Sequence, residues 1–181
     1  MKAFYLFAAG VGLAVSACSP AAEEADASAT EGATEAAAAA VPATPEEFVN
    51  QIASNDLFEV EAAKLAQENA TSDEVKEFAE LMVKDHAALI EKLEQAAGEA
   101  QPGLKVAPEL SKDQQWNLGR LQDAGASFDM AFARQQVNAQ ESALAALRDY
   151  ANSGDNPALR AFATEAAGMV EGHLEKARAL L

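Results

Sequence analysis

The chain carries two histidines, and both fall on apolar helical stripes: His86 keeps step with Met82, Leu89 and Leu93, and His173 with Met169, Ala177 and Leu180. An inward-facing imidazole is either a ligand or a hydrogen-bonded core group. Two imidazoles with a carboxylate suit Zn or Fe, and carboxylate-lined helical bundles hold Fe or Mn. The preceding helical segment adds Glu59 and Glu61, and the 1.5 Å rise per residue counted from a turn near Ala70 sets Glu59 roughly level with His86. Gln140, in step with Val137 and Leu144, and Asn55 add amides that can bond such groups. The dinuclear pattern needs Glu three residues before each His, but Val83 and Val170 stand there. The preferred expectation is therefore a polar core layer without a cofactor, in which the histidines bond Gln140, Asn55 or a glutamate. A single Fe, Mn or Zn held by His86, His173, Glu59 and Glu61 is the alternative.

No catalytic residues are expected. No serine sits in a Gly-x-Ser-x-Gly elbow, and no phosphate loop or dinucleotide-binding glycine pattern occurs, so nucleotides are not expected ligands. Thirteen basic against 29 acidic residues, net charge -16, argue against a nucleic-acid role, which needs clustered bases. The single cysteine rules out an internal disulfide.

That cysteine stands at the end of a leader. Lys2 provides a positive start, Ala3 to Val15 an uncharged apolar stretch, and Val15-Ser16-Ala17-Cys18 a small-residue cleavage point. Residues 1–17 are thus expected to be a signal peptide, and Cys18 resembles the lipidated cysteine of bacterial lipoproteins. Cleavage removes one base, Lys2, and no acid, so -16 becomes -17. By resemblance to lipoprotein sorting, Ser19 after the cysteine points to the outer membrane, facing the periplasm. The partners expected are the membrane, through the lipid, and other envelope proteins. Residues 18–44 carry five acids, no base and almost no large apolar side chain, which reads as a flexible tether.

Residues 45–181 are expected to fold into one all-α domain, a four-helix bundle. Thr44-Pro45-Glu46-Glu47 and Thr71-Ser72-Asp73-Glu74 read as capping boxes opening the first two helices, and Ser111-Lys112-Asp113-Gln114 opens a short extra helix in the connection to the third. The second helix should end near Gly98. Ser153-Gly154 closes the third and Asn156-Pro157 opens the fourth. Apolar residues recur at steps of three and four throughout, so Phe48, Phe58, Phe78, Phe128, Phe132 and Phe162 read as packing. Short links make hairpins of helices one and two and of three and four. The long middle link either crosses the bundle, the ferritin-like order, or turns back to give plain up-and-down order.

The run Phe48-Val49 to Ala53-Ser54-Asn55, Phe58-Glu59-Val60-Glu61 to Lys64-Leu65-Ala66, Val75-Lys76 to Phe78-Ala79 and Met82-Val83-Lys84-Asp85-His86 resembles the DUF4142 family of exported bacterial proteins, with Phe128-Asp129 and Gly172-His173-Leu174 fitting its second half. The resemblance implies a ferritin-like bundle in the cell envelope and leaves the biochemical role open. One position departs: where the family tends to carry a third histidine, this chain has Gln140, a poor transition-metal ligand. The functional expectation is a membrane-anchored envelope lipoprotein whose bundle has a structural, protective or protein-interaction role and is not an enzyme. The alternative is a ferritin-like metal-binding or redox stress protein.

Overall fold

The structure, a computed structural model, describes residues 44–181; the expected leader, Cys18 and the tether up to position 43 lie outside the described residues. Helix α1, Pro45–Asn69, starts as its sequence dictates. Thr44 Oγ1 accepts from the Glu47 amide at 3.2 Å, Glu47 Oε2 accepts from the Thr44 amide at 3.1 Å, and proline holds the first position. Helix α2, Asp73–Ala100, departs from expectation by one residue. Its cap is Ser72, which accepts from Val75, and no reciprocal box forms at Thr71. The reason is tertiary: the Thr71 amide and hydroxyl and the Ser72 amide all donate to the Asp129 carboxylate, at 3.0, 2.5 and 2.9 Å.

The short helix α3, Lys112–Gln122, opens with the Ser111–Gln114 box. A 3-10 turn at Gly125–Ser127 leads into α4, Phe128–Ser153. Helix α5, Pro157–Ala179, is capped by Asn156, whose side-chain oxygen accepts from the Ala158 and Leu159 amides. The described residues contain no strand, and none of their helices is long and apolar enough to cross a membrane.

Helix α1 packs on α2 and α4, and α5 packs on α4 and α2. Two contacts fix the direction of the second hairpin. Asp129 at the start of α4 reaches the α1–α2 turn, and Asn156 at the start of α5 donates to the carbonyl of Ala100 at the end of α2. The segment 101–127 therefore returns along the length of the bundle, α4 runs parallel to α2 across the diagonal, and every adjacent pair is antiparallel. This is the ferritin-like order, the arrangement that sequence left open. Helix α3 lies within the crossover against α1 and α4. There Gln114 Nε2 donates to Asn55 Oδ1 at 3.2 Å, and Ser54 Oγ to the Glu109 carbonyl at 2.6 Å.

The core has two apolar halves. One gathers Phe48, Ile52, Leu93, Leu147, Tyr150 and Phe162, with the Phe48 and Tyr150 rings stacked at 3.8 Å between centroids. The other gathers Phe78, Met82, Phe128 and Phe132, with Ala62, Ala63, Ala66 and Ala79 letting α1 and α2 approach closely. Each large side chain buried contributes about 1.5–3 kcal/mol. A layer of polar side chains separates the two halves.

Candidate functional site

That layer occupies stripe positions where apolar residues would otherwise stand. On α1, Asp56 and Glu59 fall between Ile52–Ala53 and Ala62–Ala63. On α2, His86 falls between Met82 and Leu89, and on α4 Gln136 and Gln140 fall between Phe132–Ala133 and Ala143–Leu144. Glu59, His86 and Gln140 are 1%, 1% and 0% exposed, so their partners must come from protein.

His86 is held from both sides. Its Nδ1 lies 2.8 Å from Asp56 Oδ1 and its Nε2 2.8 Å from Glu59 Oε2. The first contact is a hydrogen bond; the second is an ion-pair contact off the N–H direction. Gln140 Nε2 donates to the same Glu59 Oε2 at 2.8 Å and touches Met82 Sδ at 3.8 Å. Burial alone would depress the His86 pKa, but the charge of Glu59 and the hydrogen bonds and charge of the two carboxylates outweigh it and raise it from 6.5 to about 10. Burial pushes Asp56 up from 3.8 to about 6, against the pull of His86. At neutral pH the proton therefore sits on the imidazole, and one imidazolium faces two carboxylates.

His173, 2% exposed on α5, stacks obliquely on His86 with ring centroids 5.4 Å apart. Its Nε2 lies 2.9 Å from Asp85 Oδ2. Burial holds its pKa below the ordinary histidine value, and the adjacent His86 charge adds to that in spite of Asp85. A neutral His173 with its proton on Nε2, the tautomer this partner selects, donates to Asp85 and leaves Nδ1 as a buried lone pair with no hydrogen-bond partner.

The family described as "Domain of unknown function (DUF4142)" matches residues 30–180. The chain belongs to the DUF4142 family. Among solved structures, "CopM in the Cu(I)-bound form" is similar, with a TM-score of 0.61 and 14% identity over 75% of this chain and 94% of that one. At that identity the likeness concerns the fold. No curated protein matches the chain.

In this DUF4142 bundle the residues singled out from sequence divide into two groups. Glu59, His86, His173 and Gln140 come together in the layer. Glu61 turns outward to pair with Lys64 at 2.7 Å, and Asn55 sits at the edge of the layer, bonded to Gln114 of the crossover helix. Cys18 lies outside the described residues. Three participants escaped the sequence reading. Asp56 and Gln136 were detectable by stripe spacing, as Asp56 follows Ile52 by four and Gln136 precedes Gln140 by four. Asp85 carried no such signal, because only the packing of α5 on α2 brings His173 to it.

Chemically, the imidazole nitrogens that meet acids face different ones, Asp56, Glu59 and Asp85. Among the described residues no group of three or more His, Cys, Asp or Glu is disposed to hold a metal ion. The donor set is nevertheless one a borderline metal accepts, and the His173 Nδ1 lone pair is the single ring nitrogen not committed to an acid.

Proposed function

We propose that this protein is a lipid-anchored lipoprotein of the bacterial cell envelope, held by Cys18 to the outer membrane and facing the periplasm. Its non-enzymatic bundle has a structural, protective or protein-interaction role. The observation that carries the reading of the head is the pairing of His86, whose Nδ1 bonds Asp56 and whose Nε2 lies against Glu59, as the cation of a structural cluster would. The leader and the lipoprotein-like cysteine carry the reading of the anchor, because several acyl chains on one residue hold a bilayer far better than one. Two measurements test it. Cys18→Ala should move the protein from the membrane to the soluble fraction, and a variant that still pellets with membranes sinks the anchor. Metal analysis of protein purified without chelator should find substoichiometric Fe, Mn, Zn and Cu; a full equivalent lost in His86→Ala overturns the cofactor-free head.

One observation favours a second reading, a metal-binding envelope protein. His173 Nδ1 is a buried lone pair beside His86, in a fold shared with a protein solved with Cu(I) bound. The metal would then displace the His86 proton and take nitrogen from both rings, with a carboxylate from Glu59 or Asp56. Proton release on titration with Cu(I) or Zn, abolished in His173→Ala, would establish it. A silent titration removes it.

A further inference from the structure

Five arginines are present, and three of them are engaged: Arg148 with Glu171, Arg178 with Glu141, and Arg160 with the carbonyl of Gly154. Among the described residues Arg120 and Arg134 have neither an ion pair nor a hydrogen bond, although acids outnumber bases by 16 in the chain. Both line the same groove, a cavity of about 540 Å³ between α1, α3 and α4. That volume lies in the usual range for small-ligand sites.

The walls have a definite polarity. The chain reverses between α3 and α4, and Gln135 Nε2 donates to the Asn117 carbonyl at 3.0 Å, so these helices run antiparallel along the groove. Arg120 follows Asn117 by three and Arg134 precedes Gln135 by one, which brings both guanidinium groups to the reversal end, within one turn of each other. Asp113, another wall residue without a partner among the described residues, stands seven residues before Arg120, about 10 Å away along the helix axis. Between the charged ends, beside the apolar Phe58 and Leu121, stand the side-chain amides of Asn117 and Asn138 and the Gln135 Oε1, which has no partner among the described residues, while the Gln114 amide is already bonded to Ser111, Ser54 and Asn55. Glu59 contributes to the floor, with its charge already answered by His86 and Gln140.

We propose that this groove binds a short peptide of about three residues with both termini free, its carboxylate on Arg120 and Arg134 and its ammonium on Asp113. Extended chain advances about 3.3–3.6 Å per residue, so three residues span the roughly 10 Å between the charged ends. Paired guanidinium forks suit a carboxylate, and a side-chain amide offers both the donor and the acceptor that a peptide group requires. A simple anion would use the arginines but gain nothing from Asp113 or the amides. The charged groups that would hold the peptide, Arg120, Arg134 and Asp113, lie outside the histidine layer, which shares only Glu59 with the groove, so a metal result of either kind leaves them standing.

The test is calorimetric titration of the full chain with zwitterionic Ala-Ala-Ala, its C-terminal amide and its N-acetyl form. Amidation, or the double substitution Arg120→Ala with Arg134→Ala, should weaken binding about tenfold or more, as expected for loss of charge-assisted bonds worth at least 1.4 kcal/mol. N-acetylation and Asp113→Asn should weaken it by a smaller factor. Arg120, Arg134 and Asp113 are exposed, so circular dichroism of the variants should match the parent. No heat from Ala-Ala-Ala at millimolar concentration overturns the proposal, as does binding that ignores both amidation and the arginine pair.

Discussion

Replacing His86 with leucine isolates the imidazolium as the counter-charge of the core. Leucine is close enough in size that the cavity cost is small, and the effect is electrostatic: Asp56 at 4% exposure and Glu59 at 1% lose the only positive group in the layer. Removing one partner from a buried ionic cluster costs about 3–5 kcal/mol, and with an unfolding entropy of roughly 0.3 kcal/mol/K for a domain of about 140 residues this lowers Tm by roughly 10–17 °C. The pH dependence separates this cause from mere packing. Both raised groups stabilise the fold in their protonated form: the contribution of Asp56 is complete below pH 3.8 and lost as pH rises through about 6, and that of His86 is complete below 6.5 and lost through about 10. In His86→Leu the carboxylates can stay buried only by taking up protons themselves, which is easy at pH 5 and costly at pH 8. Thermal melts by far-UV circular dichroism should therefore show a larger Tm deficit at pH 8 than at pH 5. A deficit of only a few degrees, or one equal at both pH values, refutes the account of His86 as the buried cation.

Three further perturbations follow from other parts of the fold. Substituting Asp56, Glu59, His86 and Gln140 together with leucine removes the bonded cluster around His86 without leaving any of its four members orphaned, so urea denaturation should place the quadruple variant at or above the parent in stability and well above His86→Leu. Asp129→Ala deletes the acceptor of three donors at the start of α2 and should cost about 1–2 kcal/mol in urea titration. The Thr71 hydroxyl bond holds the Asp129 pKa below 3.8, so this deficit is full above that pH and fades as pH falls through the lowered value. Gly154→Ala would set a Cβ 2.5 Å from the Tyr150 ring, which is pinned by Phe48, and should cost about 1–3 kcal/mol. Gly168→Ala in α5 meets nothing within 4 Å and should gain about 0.5–1 kcal/mol, so the two melting curves should move in opposite directions.

The helices were legible because their signals are local. Thr44 with Glu47, Ser111 with Gln114, and Asn156 before Pro157 bond within four residues of themselves, and the structure caps helices at each. The Thr71 box failed because a distant acceptor, Asp129, offered its amide a charged partner that no local count includes. The layer was half legible for a similar reason. Spacing placed His86, Glu59 and Gln140 on inward faces, but which groups pair depends on the rotation of each helix about its axis. Two residues, a rotation of about 200°, separate Glu61, which finds solvent and Lys64, from Glu59, which finds His86. Nothing in the periodicity of α5 selects Asp85 over Glu59 as the partner of His173.

The same pairings decide the connectivity that apolar periodicity leaves degenerate. His86 joins α2 to α1, Gln140 joins α4 to α1, and His173 joins α5 to α2, and each of these helix pairs is adjacent in the observed order. In an up-and-down bundle of the same helices, α1 and α4 would face each other across the diagonal, as would α2 and α5. Glu59 would then lose the Gln140 amide and His173 would lose Asp85, each orphaned buried group costing about 1–3 kcal/mol. Helix α4 would also enter from the opposite end, moving Asp129 the length of the bundle from Thr71 and uncapping the α1–α2 turn. Apolar stripes rich in alanine pack tolerably in either order, whereas these directional bonds form in only one. The buried polar layer thus contributes more to the choice of topology than to the depth of the native minimum, which is why exchanging the four-residue cluster around His86 for leucine can preserve stability while weakening the discrimination.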